Sequence, residues 1–109
     1  MGVLLKLRLM FVYILYSSSL DRFYIGFTTD LPEQRLERHL AKYYENAFTR
    51  KADDWELFWW LQCKSEAQAK KIERHIKRMK SRVFIQTLKK YSDIGIRLLE
   101  QYAIDCSVK

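Results

Sequence analysis

Residues 10–16, MFVYILY, decide the fold together with residues 22–27, RFYIGF, which follow after a short polar segment. Both runs are rich in β-branched and aromatic residues, a composition typical of buried strands. The segment between them, SSSLD at 17–21, has the chemistry of a turn. Two strands this close in the chain predict a β-hairpin. Gly26 inside the second strand indicates a close backbone approach or a bulge.

A first helix is expected directly after the hairpin. Asp30 is a suitable N-cap, with Glu33 as its capping-box partner, and Pro32 suits the first turn. Leu36 and Leu40 recur at helical spacing and are expected to face the core.

One further strand and three further helices complete the pattern. Residues 55–63, WELFWWLQC, follow a polar loop and are apolar enough to predict a central strand. Ser65 is expected to cap a second helix, with Gln68 at its third position. The apolar stripe of this second helix consists of Ala69, Ile72, Ile76 and Met79. A third helix is predicted at 83–91, and a fourth, capped by Ser92, at 92–102. This order predicts an α+β domain in which helices flank a small three-stranded antiparallel sheet.

The 109 residues are enough for a single domain. The pattern divides the chain into an N-terminal extension at 1–9, the main domain at 10–91, and a C-terminal helix with a frayed tail at 92–109. The uninterrupted apolar run at 9–16 is too short to span a bilayer, which takes about 20 residues. No membrane partner is therefore expected from this segment.

The formal net charge of +7 creates a positive field that attracts polyanions. Nucleic acid is the first candidate partner and an anionic membrane surface the second. The two cysteines, Cys63 and Cys106, have no His or Cys at ligand spacing, which argues against zinc and against a disulfide framework. A reducing, cytoplasmic location is expected.

Five residues could carry chemistry. Tyr13 and Tyr24 lie at the middles of two neighbouring strands, and Arg35 and His39, four apart, share one face of the first helix. Glu73 lies at the margin of the second helix's apolar stripe. All five are expected to converge where the helices cross the sheet.

Each of these residues also has a purely structural interpretation. The two tyrosines could fill the core. Arg35 could be an ordinary solvated helix residue, and His39 could satisfy polar groups of the core without a catalytic part. Glu73 precedes Lys77 by four positions, so the two could form a surface ion pair worth a few tenths of a kcal/mol. The basic face at 70–80 could be a solvated helix surface.

The motifs VYI at 12–14 and YIG at 24–26 resemble the paired tripeptides of GIY-YIG nucleases. The family's order continues with RLERH at 35–39, FTR at 48–50, WEL at 55–57 and AKKIE at 69–73. The similarity covers residues 10–91 and is greatest to the short, stand-alone members found in bacteria. Val12 stands where the family's first tripeptide has glycine, and we expect that position to serve packing.

This resemblance implies a metal-dependent endonuclease that hydrolyses nucleic-acid phosphodiester bonds, DNA in the first place, in repair or recombination. Glu73 would hold a divalent metal, Mg²⁺ or Mn²⁺. Arg35 would contact the phosphate. Tyr13 would act as general base for the attacking water, with Tyr24 assisting, although a free tyrosine needs nearby positive charge to lower its pKa of about 10. His39 would donate to a phosphate oxygen or relay a proton.

The candidate nucleic-acid contacts are five basic residues: Arg38, Arg50, Lys70, Lys77 and Lys80. Two other function classes stay open. One is a non-catalytic nucleic-acid-binding module on the same fold, and the other is a protein whose basic amphipathic helix at 69–79 binds a membrane surface or a partner. Since the chain has no room for a specificity domain, a homodimer or a partner protein would supply specificity.

Overall fold

The structure is a computed structural model that describes residues 10–41 and 49–103. Over these residues the elements follow the predicted order: β1 (Met10–Ser17), β2 (Arg22–Thr28), α1 (Pro32–Leu40), β3 (Trp55–Cys63), α2 (Glu66–Met79), α3 (Arg82–Lys90) and α4 (Ser92–Gln101). One turn of 3-10 helix, Thr49–Lys51, precedes β3. The expected extension at 1–9 and the frayed tail at 105–109 lie outside the described residues. Within the described ranges, every helix is too short or too polar to cross a membrane.

The sheet is antiparallel, with the strand order β2-β1-β3. The hairpin of β1 and β2 is confirmed, but the prediction that residues 55–63 form the central strand is wrong. The central strand is β1, in which every residue from Met10 to Leu15 is buried. By contrast, β3 alternates and exposes Glu56, Trp60 and Gln62, a pattern that suits an edge.

The pairing of β1 with β3 contains a bulge. Ile14 pairs with Trp59 and Leu15 pairs with Leu57, so Phe58 is the extra residue of β3. No such shift occurs at Gly26, which pairs with Tyr13. A Cβ atom on Gly26 would lie 2.8 Å from the Tyr13 hydroxyl oxygen, which confirms the predicted close approach.

Two apolar clusters cover the two faces of the sheet, because successive residues of β1 point to opposite sides. Val12 and Ile14 pack with α2, α3 and α4, through residues such as Ile72, Leu88 and Leu98. Val12 is fully buried there, which agrees with the packing role expected for it. The candidate residues of β1 and α1 lie on the opposite face. The cluster on that face includes Tyr13, Leu15, Tyr24, Leu36, Leu40, Trp55 and Leu57.

The start of α2 follows the prediction. The Ser65 hydroxyl accepts a hydrogen bond from the Gln68 backbone N–H at 3.1 Å. The Gln68 side chain in turn accepts from the Lys64 N–H, one residue earlier than in a standard capping box. The stripe of α2 is buried at Ala69, Ile72 and Ile76 but is 44% exposed at Met79, since the helix ends there and Lys80 turns into the left-handed region.

The other two predicted caps are wrong. Leu31 occupies the N-cap position of α1, and Gln34, in place of Glu33, accepts from its N–H at 3.4 Å. Asp30 instead pairs with Arg38. Tyr91 occupies the N-cap position of α4, so Ser92 is already inside the helix.

Candidate active site

Tyr13 and His39 form a buried hydrogen bond between β1 and α1. The Tyr13 hydroxyl lies 2.8 Å from Nε2 of His39. The two residues are only 1% and 2% exposed. Because β1 is the central strand and His39 is a buried position of α1, this contact ties the helix to the middle of the sheet.

Tyr24 completes a cluster of three rings with Tyr13 and His39, the ring cluster. Its ring centroid lies 5.1 Å from that of His39, edge to face, and 6.3 Å from that of Tyr13. Unlike the other two members, Tyr24 is partly exposed. The ring cluster therefore extends from the core to the surface of the edge strand β2.

Thr49 holds the second nitrogen of the His39 ring. Its Oγ1 lies 3.1 Å from Nδ1 of His39, and its carbonyl oxygen accepts from the Trp55 indole N–H at 2.8 Å. Thr49 is buried, although it precedes β3 in a stretch expected to be a polar loop. Sequence reasoning gave Thr49 no role, and its place in the segment FTR was the signal available.

The pKa of His39 is lowered from 6.5 to about 4, chiefly by burial and then by the positive charge of Arg35. The imidazole is therefore neutral at pH 7 and carries one N–H. Either Nε2 accepts from Tyr13 and Nδ1–H donates to Thr49, or both bonds run the other way. The hydrogen bond to His39 fixes the direction of the Tyr13 hydroxyl.

Arg35 lies one helical turn before His39 and is partly exposed. Residues four apart share a helix face, so Arg35 lies on the same side of α1 as His39, and its positive charge contributes to the lowered pKa of His39. Four of the five expected residues are thus brought together, on one face of the sheet.

Glu73 lies across the sheet from these four residues. It belongs to α2, whose buried residues pack on the opposite face with Val12 and Ile14. Its Oε2 is 3.0 Å from Nζ of Lys77, the ion pair anticipated by the structural interpretation. The side chain is 16% exposed.

The side of α2 that carries Glu73 faces the edge strand β2. Three residues earlier, the Lys70 ammonium lies 5.8 Å from the ring centroid of Phe27 in β2. Residues three and four apart share a helix face, so Lys70, Glu73 and Lys77 line the same side. Glu73 therefore lies next to the free edge of the sheet.

The chemistry of this donor set suits one kind of metal. In the described part of the chain, no three His, Cys, Asp or Glu residues are grouped so that they could hold an ion. A single, partly exposed carboxylate suits a cation that keeps most of its waters, as Mg²⁺ does, and does not suit tetrahedral zinc. Glu73 fits such a hydrated site once its carboxylate is released from the ion pair with Lys77.

The basic residues proposed to contact nucleic acid lie on the surface. Arg38 pairs with Asp30 at 2.7 Å and Lys70 pairs with Glu66 at 3.2 Å. Arg50 and Lys80 are also exposed. These side chains are thus accessible, and each ion pair is of the solvent-exposed kind that contributes little stability.

The family model of the GIY-YIG catalytic domain matches residues 9–92, most of the chain. The chain therefore belongs to the GIY-YIG family, a family of nucleases. Neither the curated proteins nor the solved structures gave a match.

Proposed function

We propose that this protein is a metal-dependent endonuclease that hydrolyses phosphodiester bonds of DNA, in repair or recombination. The observation that carries the proposal is the buried Tyr13–His39 hydrogen bond with Tyr24 and Arg35 beside it, in a chain of a nuclease family. A guanidinium next to an oriented phenol is what an anionic phosphate and an attacking water require.

Burial divides the roles of the two tyrosines. Tyr13 is 1% exposed and cannot reach a solvent-borne substrate without opening the core. Tyr24 is partly exposed on the edge strand. We therefore assign contact with the attacking water to Tyr24, and to Tyr13 and His39 the positioning of the ring cluster. Arg35 binds the phosphate through its planar fork.

The free edge of β2 lies between two sets of functional side chains. On one face, His39 contacts Tyr24 of β2, and Arg35 lies one turn earlier on α1. On the other face, Lys70 of α2 lies over Phe27, with Glu73 one turn later. A phosphodiester at this edge would be within reach of both helices, which supports Glu73 as the metal ligand. When bound there, Mg²⁺ or Mn²⁺ would supply positive charge to the phosphate as negative charge develops.

The test of the metal ligand compares Glu73→Gln with Glu66→Gln. Both substitutions remove an ion pair with a lysine four residues later on α2, at 3.0 and 3.2 Å. The Glu66 side chain is 60% exposed and that of Glu73 only 16%, so the free energy of unfolding of each variant is measured together with its cleavage. With Mg²⁺ or Mn²⁺ and fluorescent flapped, branched and single-stranded DNA, we expect Glu73→Gln to lose at least a hundredfold in cleavage and Glu66→Gln to cleave like the wild type. Direct Mn²⁺ titration should show weaker binding only for Glu73→Gln.

The test of the phosphate contact compares Arg35→Lys with Arg38→Lys. Both keep the charge and lose the planar fork, but only Arg35 lies beside the ring cluster. Cleavage should fall at least tenfold in Arg35→Lys alone. If wild type cuts and both Glu73→Gln and Arg35→Lys cut equally well, the assigned site is wrong.

A non-catalytic nucleic-acid-binding module is the second candidate. The Glu73–Lys77 ion pair favours it, because the carboxylate already has a cationic partner. Such a module would bind DNA in a salt-sensitive manner without cutting it. Lys77→Ala separates the two functions: it frees Glu73 and should tighten Mn²⁺ binding in an enzyme, whereas in a pure binding module it would only weaken DNA binding.

A further inference from the structure

Trp60 is a large aromatic residue that the core does not use. It is 47% exposed, although it lies in the middle of β3. Its Cα partner across β1 is Tyr13, and directly opposed residues of an antiparallel pair project from the same face. The indole therefore projects from the same face of the sheet as Tyr13.

The Trp60 ring is supported by a neighbour that does not cover it. The ring of Phe11 lies 5.7 Å away, centroid to centroid, at an interplanar angle of 75°. Phe11 is buried, with only 4% of its surface exposed, so it is a rigid support. An indole held edge to face in this way keeps an accessible surface in a defined direction.

A groove begins at Trp60 and follows the outer edge of β3. It has a volume of about 360 Å³ and is lined by Leu57, Phe58, Trp59, Trp60 and Lys89. The bulge at Phe58 shapes it, since the extra residue bends the strand at this point. The Lys89 ammonium lies 4.7 Å from the centroid of the Phe58 ring, at the groove wall. The groove thus lies at the open edge of β3, between Trp60, which is exposed on one face of the sheet, and Lys89, which belongs to the helix layer of the other face.

We propose that this groove binds an unpaired nucleotide, with its base stacked on Trp60 and a phosphate neutralised by Lys89. Aromatic platforms beside basic side chains are the general means of holding single-stranded nucleic acid. The inference rests on the proposed function and names its substrate class. The substrate is then DNA with an unpaired segment, which the groove binds at the edge of the sheet opposite to β2.

A second copy of the chain is a less suitable occupant of this edge. A bulge and a nearby lysine are both features that prevent one sheet edge from pairing with another. Two copies that each carry a net charge of +7 also repel one another, whereas the same charge attracts a polyanion.

The experiment measures binding without metal, so that cleavage plays no part. Wild type, Trp60→Ala, Trp60→Phe and Tyr91→Ala are titrated against a fluorescent single-stranded oligothymidine and a blunt duplex of the same length. Tyr91 is the matched control, since it is also 47% exposed and has the Lys90 ammonium 5.4 Å from its ring. An oligonucleotide that contains 2-aminopurine reports stacking directly through quenching by the indole.

We expect Trp60→Ala to bind the single strand about tenfold more weakly and to lose the quenching, since stacking contributes about that much per base. Trp60→Phe should stay within about threefold of wild type, and Tyr91→Ala should bind like wild type. Affinity for the blunt duplex should be the same in all four proteins. If Trp60→Ala does not fold, Lys89→Gln is the variant that tests the proposal. The slope of log affinity for the single strand against log salt concentration should then be smaller in magnitude by about 0.7 than in the wild type.

Three results would overturn the inference. These are unchanged single-strand binding by Trp60→Ala or Lys89→Gln, an equal loss in Tyr91→Ala, and a wild-type dimer that Trp60→Ala dissociates. The last result would make the groove an interface between copies of the chain. A protein that stacks unpaired bases but never cuts contradicts only the proposed nuclease activity. A protein whose Trp60→Ala variant binds and cuts flaps normally contradicts only the stacking site.

Discussion

Gly26 has no side chain because the ring of Tyr13 occupies the space where one would lie. A Cβ atom there would meet the Tyr13 hydroxyl oxygen at 2.8 Å and its Cζ at 2.9 Å. The ring cannot swing away easily, since it is buried and bonded to His39. We expect Gly26→Ala to lower the free energy of unfolding by about 1–3 kcal/mol, and to reduce activity by displacing Tyr13.

Gly95→Ala is the control for this substitution. Its Cβ would lie 3.2 Å from Cδ1 of Leu61, the end of a flexible and partly exposed side chain. Alanine also gains up to about 1 kcal/mol over glycine inside a helix. Urea denaturation should therefore show a small change for Gly95→Ala, and equal losses in the two variants would contradict the steric explanation for Gly26.

His39 makes stability depend on pH in a defined window. Its folded pKa of about 4 is lower than the ordinary 6.5, so the unfolded chain binds the proton first as the pH falls. His39 should therefore remove roughly 2–3 kcal/mol of stability between pH 6.5 and 4, and nothing above pH 6.5.

Thermal or urea unfolding across that range tests this expectation. His39→Gln should flatten the slope markedly. His75→Gln should flatten it less, since burial lowers the pKa of His75 in the same direction but that residue is partly exposed. A wild-type slope that survives in His39→Gln would show that other groups cause it.

At the level of residues, sequence spacing predicted part of the site. Arg35 and His39 lie beside the two tyrosines because a four-residue interval and strand alternation fix which faces they share. Thr49 was not predicted as a partner of His39, since a polar residue in an irregular stretch has no periodicity. The burial of Tyr13 agrees with the prediction of a buried strand and with the structural interpretation in which the tyrosines fill the core.

Helix starts differ in how much they depend on one hydroxyl. Ser65 caps α2 through a hydrogen bond to Gln68, so Ser65→Ala should lower the free energy of unfolding by about 1 kcal/mol. Ser92 lies inside α4, after the N-cap position, and Ser92→Ala should change stability by less than about 0.5 kcal/mol. Chemical denaturation of the two variants checks both values. A similar loss in each would mean that the hydroxyl of Ser92 also stabilises a helix start.

The order and type of the elements could be predicted because each run has a clear period. The position of β3 in the sheet could not be predicted, since the composition of a strand does not determine which strand lies in the middle. The neighbouring residues Trp59 and Trp60 both look like core residues in the sequence. In the structure, Trp59 packs near Gly95 of α4, whereas Trp60 is exposed. The caps of α1 and α4 failed for a related reason, because a polar residue at the right place competes with alternatives such as the Asp30–Arg38 pair.

The charge of the whole molecule sets how DNA binding responds to salt. If the five candidate basic residues each neutralise one phosphate, log affinity for duplex DNA should fall with log salt at a slope of about −4 to −5. Lys70→Ala with Lys77→Ala should reduce the slope by about 2. Arg97→Ala is the control, because Arg97 is exposed on α4 and pairs only locally with Asp93. A slope that falls equally in the control would place the DNA elsewhere on the surface.

The central position of β1 has a consequence for the growing polypeptide on the ribosome. MFVYILY is synthesised before the strand that covers one of its edges, since β3 ends only at Cys63. Until then a segment of high β-propensity without charge or proline has an open edge, the kind of segment that aggregates. Chains that terminate before Cys63 should therefore be insoluble, and translation speed between the hairpin and β3 should govern the yield of native protein.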